Sequence, residues 1–114
     1  MISRKNRFHG HGSLRYVYRN GQTVRGPICA LKFVRNEKRK DYRLAVVVSK
    51  KVSKSAVVRN RIRRRMYEAF RLEAPGFHGP HDMVLTIFND QAATIPAEEI
   101  RQMVHAQLRQ AKVI

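Results

Sequence analysis

The chain has 114 residues, enough for one domain, and its 43% apolar content suffices for a buried core at that size. Its formal charge of +16 is one-sided: residues 1–71 hold 21 Lys/Arg against three acids, while residues 72–114 hold three against five, so one strongly basic face and a nucleic-acid partner are expected. The longest apolar run is five residues, 44–48, and none follows the charged N-terminus; neither a signal peptide, a membrane span nor membrane binding is expected, and a cytoplasmic location is.

In chain order, a first helix is predicted over residues 13–19, with Ser13 as N-cap acceptor and Asn20-Gly21 as a left-handed exit. Leu14, Val17 and Tyr18 share one face of it, with Tyr16 beside them. A short strand is allowed near residues 23–25. Residues 28–34 read as a strand, with Pro27 at its start, and the single cysteine, Cys29, is expected there as a small core residue without a disulfide. Residues 35–41 form a charged turn. The β-branched run 44–48 reads as buried on both sides and therefore as a central strand.

A second helix is predicted from Ser55 to Arg71. Val58, Ile62, Met66 and Ala69/Phe70 recur at three- and four-residue steps as a core stripe, leaving Arg59, Arg61, Arg63, Arg64 and Arg65 around the rest. From Lys50 to Arg65 the chain carries eight cations and no anion. A solvated face ordinarily mixes signs, so this one implies an absent polyanion. Arginine outnumbers lysine within the helix, and its planar fork binds phosphate bidentately. Asn60 suits either a base edge or a backbone cap.

Residues 73–80 are a breaker-rich loop, residues 83–88 an inner strand, and a last helix opens at residues 94–96. Glu98 and Glu99 lie in its first turn, Lys112 in its last, and Ile100, Met103/Val104, Leu108 and Ala111 point inward. The order α-β-β-α-β-α gives a single α+β RNA-binding domain over residues 1–114, a two-layer sandwich of a three- to four-stranded sheet packed with helices.

Phe8, Tyr16 and Tyr18 are interleaved with Arg4, Lys5, Arg7, Arg15 and Arg19, a pattern suited to single-stranded nucleic acid, although aromatics at helical spacing also serve as core. The pairs His9/His11 and His78/His81 have no metal-ligand spacing and read as surface or loop histidines. Glu37, Asp41, Asp82 and Asp90 sit in loops or at strand ends without a carboxylate cluster for Mg²⁺, and Ser49 and Ser53 lack a nucleophile motif. No catalytic residue, cofactor or metal site is expected in the polypeptide.

The segment Ala56-Val57-Val58-Arg59-Asn60-Arg61-Ile62-Arg63-Arg64, preceded by Val48-Ser49-Lys50-Lys51, resembles the bacterial ribonuclease P protein subunit, and the likeness extends over nearly the whole chain. The resemblance implies a left-handed strand-helix-strand crossover, against the usual hand. It also implies assembly with a large catalytic RNA that removes the 5′ leader of precursor tRNA, with Mg²⁺ serving the RNA-based reaction and no protein partner required. By position it places Lys50, Lys51, Arg59, Asn60, Arg61, Arg63, Arg64 and Arg65 against the catalytic RNA. It places Leu14, Arg15, Tyr18 and Lys32 at a leader-binding cleft between the first helix and the sheet. The sequence departs from the family at Leu14 and Lys32, where rings are common, and at Tyr67, where a cation is usual. The residues alone also admit a ribosomal-type RNA-binding protein or RNA chaperone, or a DNA-binding regulator with the arginine helix in a groove.

Overall fold

Period-two burial along Cys29–Arg35 makes a strand whose Cys29, Leu31 and Phe33 are buried on one face while Ala30, Lys32 and Val34 are half-buried on the other. The computed structural model describes residues 4–8 and 11–114. Its chain order is α1 (His11–Asn20), β1 (Gln22–Arg25), β2 (Cys29–Arg35), β3 (Arg43–Val48), α2 (Ala56–Glu73), β4 (His81–Ile87) and α3 (Ala97–Gln110). Single 3-10 turns lie at Arg4–Asn6, Ala74–Gly76 and Asp90–Ala93.

One sheet has the strand order β1-β2-β4-β3, antiparallel except for β3 beside β4, the parallel pair that α2 connects. The expected α+β class is present, with the short strand realised as β1. Helices α2 and α3 cover the face bearing Leu31, Phe33, Leu44, Val46, Met83 and Leu85. On the other face α1 packs Val17 with Phe8, Ala45 and Val84, and Leu14 and Val34 close the edge of that smaller cluster.

The run 44–48 is an edge strand, not a central one. Its burial comes from α2 on one face and the Phe8–Val17 cluster on the other. Residues 7–8 also shield its free edge: Arg7 bridges Leu44, and the Phe8 N–H donates to Leu44 O at 3.1 Å. This cover protects an otherwise open hydrogen-bonding edge. The inner strands are β2 and β4.

In α2 the Ser55 Oγ accepts the Val58 N–H at 3.2 Å, as an N-cap should, and Ile62, Met66, Ala69 and Phe70 are buried with Val58 packed against them. At α1 the expectation differs from the structure twice. Ser13 is the third helical residue and not the cap. Gly21 does not turn left-handed, since the only positive φ angles among the described residues are at Lys112 and Gly79. It is glycine for space: a Cβ there would lie 2.6 Å from Val17 O and 2.9 Å from Phe33 O.

Lys112, expected in the last turn of α3, lies just past it at φ 62°. Its N–H donates to Arg109 O and that of Val113 to Leu108 O, both at 3.0 Å, the paired bonds of a Schellman exit.

His81, expected at the surface or in a loop, and Asp82, expected in a loop or at a strand end, are the first two residues of β4, and both are buried. Asp82 accepts two hydrogen bonds from Arg43, at 2.8 and 2.7 Å, and a third from Asn36 at 2.8 Å. The Arg43 guanidinium lies 4.4 Å from the Phe8 ring centroid. Burial raises the Asp82 pKa, but the bonds from Arg43 and Asn36 and the Arg43 charge outweigh it and hold the carboxyl below its ordinary 3.8. Cys29 is core, as expected, donating to Gln107 Oε1 at 3.2 Å, and burial pushes its thiol up to about 11.

Candidate nucleic-acid interface

On α2, residues 57, 60, 64 and 67 recur at helical spacing and share a face with Arg63. They line a groove, Val57, Asn60, Arg63, Arg64 and Tyr67, closed on one side by Arg7. No acid lines it. Arg63 donates to Asn60 Oδ1, which orients the guanidinium along the helix. The Arg7 guanidinium sits 5.6 Å from the Tyr67 ring centroid, and its Nε is buried with no hydrogen-bond partner among the described residues. The Tyr67 hydroxyl accepts the Val46 N–H at 3.3 Å, which ties the ring to β3. Thus Tyr67 carries a cation brought from the N-terminal segment.

The arginines of α2 divide by flank. Arg61 Nε donates to Ala93 O at 2.8 Å; Arg65 donates to Ala92 O at 2.9 Å and to Ile95 O. These two hold the connection between β4 and α3 against α2. Burial first, then the nearby Arg61 charge, lowers the Arg65 pKa. Arg59 donates to Ser53 O at 2.8 Å and fastens the helix to the turn before it. Lys50 and Lys51 are exposed in that turn. Of the eight residues assigned to the catalytic RNA, the fold therefore gathers Asn60, Arg63 and Arg64 in one groove and gives Arg61 and Arg65 backbone acceptors on the opposite flank.

The second surface lies between α1 and the sheet. Tyr18 is 45% exposed, and Lys32 Nζ lies 5.9 Å from its ring centroid. Leu14 is half-buried against the Phe8–Val17 cluster and forms the wall. Arg15 is not in this cleft; with Gly12, Tyr16, Arg19 and Asn20 it lines a separate depression. Phe8 is a core residue. One pair escaped the reading of the sequence: Phe88 is exposed just after β4, with the Arg25 guanidinium 5.4 Å from its ring centroid. Alternation from Val84 through Thr86 places Phe88 on the Lys32 face, a signal hidden because the run 83–88 reads as uniformly buried.

Among the described residues, no group of three or more His, Cys, Asp or Glu could hold a metal ion, and no helix is long and apolar enough to cross a membrane. A family model described as ribonuclease P matches residues 2–112. The ribonuclease P protein component of Chloroflexus aurantiacus is 38% identical over 97 residues, covering 85% of this chain and 70% of the relative. That of Clostridium acetobutylicum is 36% identical over 83 residues, 72% of this chain and 69% of the relative. Among solved structures, the Staphylococcus aureus RNase P protein superposes with a TM-score of 0.83 at 24% identity, covering 95% of this chain and 96% of that one. The Thermotoga maritima RNase P protein gives 0.80 at 19% identity, with 91% and 96% covered. At these identities the two structures speak for the fold.

Proposed function

Because the chain belongs to the ribonuclease P protein family, we propose that its two basic surfaces serve different RNAs within that tRNA 5′-processing ribonucleoprotein. The α2 groove holds the catalytic RNA, and the α1–sheet cleft holds the single-stranded leader of precursor tRNA. The observation that carries the division is that Asn60, Arg63, Arg64 and Arg7 converge on a groove with no acid in its lining, whereas Tyr18 and Lys32 pair a ring with a cation on the other side of the sheet. Clustered guanidinium forks suit the phosphates of a folded RNA. A ring beside an ammonium suits an unstacked base and its phosphate.

In this reading the bond cleavage belongs to the RNA and its Mg²⁺. The polypeptide lowers the repulsion between two polyanions and positions the leader. Arg61 and Arg65 serve chiefly by fixing the segment between β4 and α3, with Lys50, Lys51 and Arg59 at the basic approach to the helix.

The test is cleavage of precursor tRNA at low salt by the protein, by the cognate catalytic RNA, and by both together. The expected result is faster 5′-leader removal by the mixture than by the RNA alone and no cleavage by the protein alone. No effect of the protein on the RNA's rate or affinity would overturn the assignment, and RNA-free cleavage would place the chemistry in the polypeptide.

A further inference from the structure

Helix α1 leaves part of its sheet face open. Beneath it lie Val34, Ala45 and Val84. The neighbouring cross-strand row Arg25–Ala30–Thr86–Val47 leaves Ala30, Thr86 and Val47 half-buried and Arg25 exposed. Cross-strand partners share a face, so this row lies one step along the strands from the row of Lys32 and Val84.

Phe88 extends the floor beyond that row. Its N–H donates to Ile28 O at 3.0 Å, which continues the β2–β4 pairing by one residue, and its ring is 42% exposed. A lone exposed phenylalanine would need no explanation. Here Arg25 is stacked over it at 5.4 Å, and among the described residues this guanidinium makes no ion pair or side-chain hydrogen bond. The arrangement repeats that of Tyr18 and Lys32: an exposed ring and a cation beside it, on one face of one sheet. Phe88 is four residues beyond Val84, the cross-strand partner of Lys32, hence about 13 Å along the strand.

We propose that Phe88 and Arg25 form a second nucleobase-stacking subsite for single-stranded RNA, so that a leader engaged at Tyr18 continues across the open row and lays a further base on the Phe88 ring. Ala30, Thr86 and Val47 supply a small-residue floor that a backbone can cross. The guanidinium either sandwiches the base or turns its free N–H donors to the adjoining phosphate. The cations Lys32 and Arg25 along the path favour a polyanion over a peptide. This inference rests on the leader-binding role proposed for the Tyr18 cleft.

The experiment measures the affinity of the holoenzyme for mature tRNA and for precursor tRNAs with leaders lengthened one nucleotide at a time. Phe88→Ala, Phe88→Trp, Arg25→Ala and Tyr18→Ala proteins are compared with the unaltered one. Phe88→Ala should match the unaltered protein on mature tRNA and on leaders reaching only Tyr18, then bind longer leaders about tenfold more weakly, and Phe88→Trp should restore the loss. Leaders carrying 2-aminopurine at successive positions should be quenched in two separate stretches, the outer one lost in Phe88→Ala. Equal weakening for every ligand, or an unchanged length profile with a single quenched stretch, overturns the subsite while leaving the Tyr18 cleft standing. Failure of the unaltered holoenzyme to prefer any precursor over mature tRNA overturns the leader role itself.

Discussion

Asp82 and His81 show how single buried side chains make stability depend on acid pH. Asp82, its side chain 4% exposed, is held by two bonds from Arg43 and one from Asn36. Asp82→Asn should destabilise the protein by about 3–5 kcal/mol in urea unfolding at neutral pH, because it strands a buried guanidinium. Its depressed pKa gives stability that is complete above the unfolded value near 3.8 and lost as pH falls through the lower folded value. His81 is also depressed, by burial first, then by the Arg35 charge, against the bond between its ring and Gly79 O. Its stability is therefore complete above 6.5 and lost as pH falls through its folded value, so His81→Phe should flatten the stability profile just below pH 6.5 in urea titrations at stepped pH. Neither role was legible in the sequence, because the partners are distant along the chain: Arg43 and Asn36 for Asp82, and Arg35, across the sheet, for His81. Tyr18 was legible in part. Its neighbouring cations suited single-stranded RNA, but helical spacing placed it on the face of Leu14 and Val17 and left a core position open. Only the family resemblance put it at a cleft, and the structure leaves it 45% exposed. Tyr18→Ala should weaken precursor over mature tRNA by about 1–3 kcal/mol in holoenzyme binding, with Tyr18→Phe near neutral.

At the scale of elements, α2 was readable because a 3.6-residue stripe and a Ser cap are local signals, and both occupy their expected places. How its arginines divide was not local. Arg61 and Arg65 meet carbonyls of Ala92, Ala93 and Ile95, roughly thirty residues on, in a turn whose position only the packed fold defines. The two flanks should therefore fail differently. Arg65→Ala should cost about 1–3 kcal/mol of stability, by chemical denaturation, through stranded carbonyls. Arg64→Ala should leave stability nearly unchanged and alter RNA binding. The end of α3 offers a converse case: Lys112 holds a left-handed conformation that glycine adopts without penalty. Lys112→Gly should raise stability by about 1 kcal/mol in the same measurement. The misplacement of β3 has a comparable cause. A β-branched run reports burial on two faces but not the number of strand neighbours, and here Phe8 and α1 supply cover that a further strand would otherwise give.

For the whole molecule, the charge asymmetry between residues 1–71 and 72–114 maps onto two basic surfaces, the two proposed to face RNA, on opposite sides of one sheet. Its α1 face carries Tyr18, Lys32, Arg25 and Phe88, while α2 on the other side presents the groove of Arg7, Asn60, Arg63 and Arg64. On the proposed division of these surfaces, assembly and substrate binding should be separable by mutation. The most direct test is the salt dependence of binding to the catalytic RNA for the unaltered protein, Arg63→Ala/Arg64→Ala and Tyr18→Ala. The double variant should bind more weakly, with the slope of log affinity against log salt shallower by roughly one per lost phosphate contact, while Tyr18→Ala leaves affinity and slope unchanged. An unchanged slope in the double variant, or a slope altered equally by Tyr18→Ala, would contradict the division.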